Sequence, residues 1–171
     1  EALAVMHERT GNTELLETIN DGVVVFARVG TSSDPAMNTV AWAYGTGLIV
    51  MADTSFTSPE WTHQVVFHEI GHHWDNENPE WDAFLDLSGW ENNGDWTPGK
   101  TVSLDQEWRF DSDSGFARTY GQTNPYEDFA TVFAWYFMQE ADEPYSSPWT
   151  ALTWNMFDKV DFIDDFVDSL I

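Results

Sequence analysis

The stretch SPEWTHQVVFHEIGHHWD, Ser58 to Asp75, ends in eight residues that hold three of the chain's 5 histidines. Ser58 is a natural N-cap, and Pro59 suits the first helical position because its missing N–H has no partner there anyway. Val66, Phe67, Ile70 and Trp74 recur at helical spacing, which predicts a helix running to about Asn78–Pro79. On such a helix, residues four apart share one face. His68 and His72 therefore aim at one point, where two imidazoles can bind a zinc ion. Glu69 follows His68 and can take a proton from a water at that metal. Gly71 leaves room for another chain segment to approach the helix. His73 lies about 100° around the helix from His72, so it reads as a packing or surface residue. Asp75, three residues after His72, has two readings: it orients a metal-bound imidazole from behind, or it is a polar residue near the helix end.

Outward from this helix, the pattern alternates strands and helices. TELLETIN (Thr13–Asn20) reads as a short helix and GVVVFARV (Gly22–Val29) as a β-branched strand. TSSDP (Thr31–Pro35) is a loop, and GLIVMAD (Gly47–Asp53) is a second apolar strand. That second strand is expected to run along the cleft and pair with an extended substrate, as an edge strand does. PEWDAFLDLSG (Pro79–Gly89) reads as a helix ended by its glycine. Trp90–Gly121 is rich in Gly, Asp, Asn and Ser and reads as a long functional loop. NPYEDFATVFAWYFMQ (Asn124–Gln139) is the most apolar helix, capped by Asn124 and opened by Pro125. In the tail, Ile163, Phe166, Val167 and Leu170 share one helical face, with acids opposite. The fold class is therefore α+β.

A catalytic zinc usually keeps three protein ligands and one open position. The metzincin pattern fails, because its later glycine and histidine positions hold Asp75 and Asn78. A carboxylate from a later helix is then expected. Asp82 and Glu91 are near in sequence but lack a supporting pattern. Glu127 stands at the start of a helix that must be buried, where a carboxylate is costly unless a cation compensates it. It is equally the third residue after the Asn124 cap, the position of a capping-box glutamate.

His68-Glu69-Ile70-Gly71-His72, then Tyr120, Glu127 and Phe129-Ala130, resemble the zinc peptidases related to the catalytic domain of anthrax lethal factor, including the Pro-Pro endopeptidases. The similarity lies in H-E-x-G-H and in a tyrosine seven residues before a glutamate ligand (127 − 120 = 7). It covers roughly residues 58–139. The resemblance implies a compact zincin-like domain with a small N-terminal sheet, an active-site helix and a mostly helical C-terminal part. It implies Glu127 as third zinc ligand and Tyr120 as hydrogen-bond donor to the oxyanion. Thr131 departs from the family, which often has a second glutamate there, so no role for that acid carries over. The family's proline subsites cannot be placed on this chain.

Composition sets the remaining bounds. The 171 residues suit a single domain, 1–171, and 42% hydrophobic content with 10 Trp and 12 Phe supplies its core. The start at Glu1, without a basic-then-apolar leader, reads as a processed or excised piece. The absence of Cys excludes thiolate zinc sites and a cysteine nucleophile. The 30 acids against 6 bases, net charge −24, exclude nucleic acid as a partner and fit a secreted or extracellular protein. No apolar run is long enough to span a bilayer. A monomer acting on a peptide or protein substrate is expected, and a cationic substrate is compatible with the charge. DSDSG (Asp111–Gly115) resembles half of a calcium loop but lacks the third acidic position and distal glutamate, so it reads as a solvated turn and calcium is not expected. The expected function is that of a zinc endopeptidase. The alternatives are a non-catalytic zinc-containing module of a large extracellular protein, with tryptophans that stack on sugars, and a zinc hydrolase of a non-peptide amide. Glu69 weighs against the module, because a structural zinc site has no use for a base.

Overall fold

A computed structural model describes residues 1–11, 16, 23–30, 40–44, 47–75, 78–92, 97–141 and 154–170. Among these residues the chain is mixed α+β. Helix α1 (Ala2–Thr10) precedes strands β1 (Val25–Val29), β2 (Ala41–Ala43) and β3 (Leu48–Ala52). A 3-10 turn at Asp53–Phe56 leads into helix α2 (Pro59–Gly71) and then α3 (Trp81–Ser88). Strands β4 (Glu91–Asn92), β5 (Lys100–Val102) and β6 (Trp108–Asp111) follow. A second 3-10 turn at Thr119–Gln122 opens onto helix α4 (Pro125–Glu140), and α5 (Trp154–Ser169) ends the fold. No helix among the described residues is long and apolar enough to cross a membrane. The expected helix at Thr13–Asn20 and the loop at Thr31–Pro35 lie outside the described residues, apart from Leu16.

The first sheet corrects one expectation. Its order is β1-β3-β2, with β3 parallel to β1 and antiparallel to β2. The strand expected to run free along the cleft is therefore the central one, and β2 is an edge strand among the described residues. Four consecutive buried residues in β3, Ile49 to Ala52, are what a strand covered on both faces requires.

Helix α4 is buried on every side from Asp128 to Met138, so it reads as the axis of the core. It packs against α2, where Phe67 stacks on Phe137 at 5.4 Å between ring centroids. Gly71 makes the close approach possible. A Cβ there would stand 3.1 Å from the Ala130 Cα and 3.3 Å from the Phe133 Cβ. Each fully buried Phe in this layer contributes roughly 1.5–3 kcal/mol. Helix α5 closes the core with Ile163, Phe166 and Val167, while Leu170 packs at its margin.

Two boundaries differ from the sequence reading. Helix α2 stops at Gly71, well before Asn78. The N–H groups of His73 and Trp74 bond back to Ile70 and Gly71, tightening the end into i−3 turns. Trp90–Gly121 is not a long loop: it carries a second sheet of order β4-β6-β5. Under that sheet Trp90, Phe110 and Phe116 form their own apolar cluster. Asp111, from the expected solvated turn, ends β6 and pairs with Lys100 at 3.0 Å.

Candidate metal centre

Local capping places both halves of the site. The Ser58 hydroxyl accepts the Trp61 N–H at 3.2 Å and fixes the start of α2. His68 then falls in the last turn, and His72 is the C-cap, still one helical turn on. On α4, the Asn124 side chain accepts the Glu127 N–H at 3.0 Å. The Glu127 carboxylate takes no part in a reciprocal cap. It turns to the histidines instead, because the packing of α2 on α4 sets it opposite them.

Three atoms meet there. His68 Nε2 lies 3.1 Å and His72 Nε2 3.4 Å from Glu127 Oε2, and the two nitrogens lie 3.2 Å apart. Glu127 Oε2 is buried and satisfies no hydrogen bond of acceptable geometry, despite those distances. Two imidazole nitrogens and a carboxylate oxygen crowded this closely are what a bound cation would satisfy. His68, His72 and Glu127 form a group that could hold a metal ion, and it is the only such group of His, Asp and Glu among the described residues. Asp82 and Glu91 stay away from it: Asp82 is exposed on α3 and Glu91 pairs with Lys100 at 3.2 Å.

The surroundings tune each group. Burial would lower the His72 pKa, but the neighbouring carboxylates of Asp75 and Glu127 outweigh it and push it up to about 10. The Asp75 contact is specific, Oδ2 to His72 Nδ1 at 3.2 Å, which leaves Nε2 facing the cluster. His68 is held down, chiefly by burial. Burial would raise Glu127, yet its close contacts with His68 and His72 hold it well below the usual carboxylate range. Glu69 is pushed up to about 7 by burial, against His72 and the Ala43 backbone N–H, which draw it down. Its Oε2 has no partner. The Tyr120 hydroxyl donates to Glu127 Oε1 at 2.9 Å, and burial together with Glu127 raises its pKa.

These groups line a cleft of about 400 Å³, walled on one side by Ala41, Trp42 and Ala43 of the edge strand with the following Tyr44, and on the other by Tyr120. A second hollow of about 350 Å³ shares Ala41, His68, Glu69 and Tyr120 with it. The two form one trough across the His–Glu cluster. His73, expected to pack or face solvent, is buried in the wall of the cleft. The aromatic edge strand and the trough residue Arg118 were not anticipated. A three-residue strand has no alternation to read, and a lone arginine in a polar stretch carries no pattern.

No known protein family matches the chain, and neither a curated protein nor a solved structure matches it.

Proposed function

We propose that the protein is a zinc-dependent endopeptidase with a zincin-like fold, in line with the motif resemblance of residues 58–139. The donor set supports the choice of metal: two imidazoles and one carboxylate suit zinc. Calcium prefers oxygen donors, so two imidazoles weigh against it.

Zinc bound there would supply Lewis-acid polarisation of the scissile carbonyl and acidify the attacking water. Glu69 then acts as the base. It would accept the water's proton and return it to the leaving amine. Asp75 holds the His72 ring in the tautomer that offers Nε2. Tyr120 reaches Glu127 Oε1 in the resting site and exchanges that acceptor for the oxygen that gains charge in the transition state. Strand β2, an edge of its sheet among the described residues, is the strand with which an extended peptide would pair.

The observation that carries this reading is Glu69, buried with an unpartnered oxygen beside the three-atom cluster. A purely structural metal site would not retain so costly a group. Glu69→Gln is expected to keep zinc and fold while losing at least ~10² in peptide hydrolysis. Near wild-type turnover in that variant removes Glu69 as the base.

A further inference from the structure

The chain has only 6 Lys and Arg against 30 acids, so almost every cation should find a carboxylate. Four of them do. Arg9 pairs with Asp164 and Asp168, Arg28 with Asp53, Lys100 with Glu91 and Asp111, and Lys159 with Asp128. Among the described residues Arg109 and Arg118 pair with none. Arg109 belongs to β6 in the second sheet, whereas Arg118 lines the trough beside His68, Glu69 and Tyr120.

The Arg118 side chain is held in place without being neutralised. Its guanidinium carbon stands 5.5 Å from the centroid of the Trp61 ring, a cation–π distance. Trp61 is itself fixed, its indole N–H donating to the Thr54 carbonyl at 3.1 Å. The Arg118 backbone carbonyl accepts the Gly121 N–H at 3.0 Å, tying it to the turn that carries Tyr120. A cation–π contact uses none of the guanidinium's N–H donors, the fork that matches a carboxylate. The residue is half-buried, so a carboxylate arriving there would be poorly screened by water.

We propose that Arg118, braced by Trp61, forms a specificity subsite that selects a peptide carboxylate close to the scissile bond. The inference rests on the trough being the peptide-hydrolysing site. The carboxylate has two sources, an Asp or Glu side chain or the free C-terminus of a short peptide.

Cleavage of a peptide library, synthesised with free and with amidated C-termini, separates the two. A side-chain subsite enriches Asp and Glu at one fixed position from the cleaved bond in both sets. A C-terminal subsite gives cleavage at a fixed distance from the end, lost on amidation. In either case Arg118→Gln should cut the preference about 10- to 100-fold, the usual loss for a charge-assisted hydrogen bond, and Arg118→Glu should turn it toward Lys and Arg. Circular dichroism and zinc content confirm that both variants are folded and loaded. Retention of the same library on immobilised Glu69→Gln, compared with Glu69→Gln/Arg118→Gln, reads the subsite without hydrolysis. Acid-enriched retention that depends on Arg118, with no hydrolysis by wild type, sinks the reaction and keeps the subsite. Hydrolysis with no acidic preference, or with a preference that Arg118→Gln leaves intact, overturns the subsite and keeps the reaction. Neither hydrolysis nor Arg118-dependent retention overturns both.

Discussion

Replacing Lys159 by Met tests the charge buried beneath the site. Lys159 and Asp128 are both fully buried. The ammonium reaches Asp128 Oδ2 at 2.7 Å, Oδ1 at 2.9 Å and the Gly115 carbonyl at 2.7 Å. The Trp90 indole N–H at 3.0 Å and the Ser88 hydroxyl at 3.4 Å also point at Asp128 Oδ2. Burial pushes Asp128 up and Lys159 down, toward a neutral pair. Every neighbour of that carboxylate is a donor, however, so the ionised form is the one the geometry fits. Removing the ammonium leaves a buried carboxylate with two neutral donors, and breaking such a pair typically costs about 3–5 kcal/mol. For a chain of this size each kcal/mol lowers Tm by about 2–4 °C, so a fall of roughly 6–20 °C is expected. Lys159→Met/Asp128→Asn keeps an amide oxygen for Trp90 and removes the stranded charge. It should be less destabilised than the sum of the two single variants by about 1–3 kcal/mol. Denaturant unfolding in chelator, which removes any contribution from bound metal, measures all three. A loss under about 1 kcal/mol for Lys159→Met, with additive effects in the double variant, would refute a buried ionised pair.

Three further outcomes follow from the site. His72, raised to about 10 in the metal-free protein, is protonated at pH 7, so zinc binding should expel about one proton and weaken as pH falls; calorimetry in buffers of different ionisation enthalpy counts it, and no released proton contradicts the assignment. Tyr120→Phe should lower kcat by about 10²–10³ with little change in KM, and should weaken zinc about tenfold because the hydroxyl also holds Glu127 Oε1; a variant silent in both assays removes Tyr120 from the site. Gly71→Ala sets a methyl 3.1 Å from the Ala130 Cα and should cost about 1–3 kcal/mol while loosening zinc; a raised Tm, from better helix propensity alone, would show that α4 yields without cost.

What the sequence determined by itself was local. Ser58 and Pro59 start α2, the four-residue spacing brings His68 over His72, Asn124 and Pro125 start α4, and Gly89, at φ 57°, ends α3. Each of these rests on interactions within one helical turn, so the order of residues suffices. Glu127 was legible only as a choice between cap and ligand. The backbone cap is local, but where its carboxylate points depends on how closely α2 and α4 approach, which Gly71 permits. The tertiary structure alone decided that β3 is central and β2 an edge, since pairing is a contact between distant segments. It alone formed the second sheet, whose strands of two to four residues hold no period to read. Lys159 sits four residues before Ile163 and seven before Phe166, so its place on the apolar face of α5 was visible in the spacing. What the spacing could not supply was Asp128 on another helix, the one partner that makes a buried ammonium tolerable. Arg118 is the converse case: a surface-like arginine in sequence, it acquires its meaning only when folding sets it by Trp61 beside His68, with no carboxylate among the described residues in ion-pair contact.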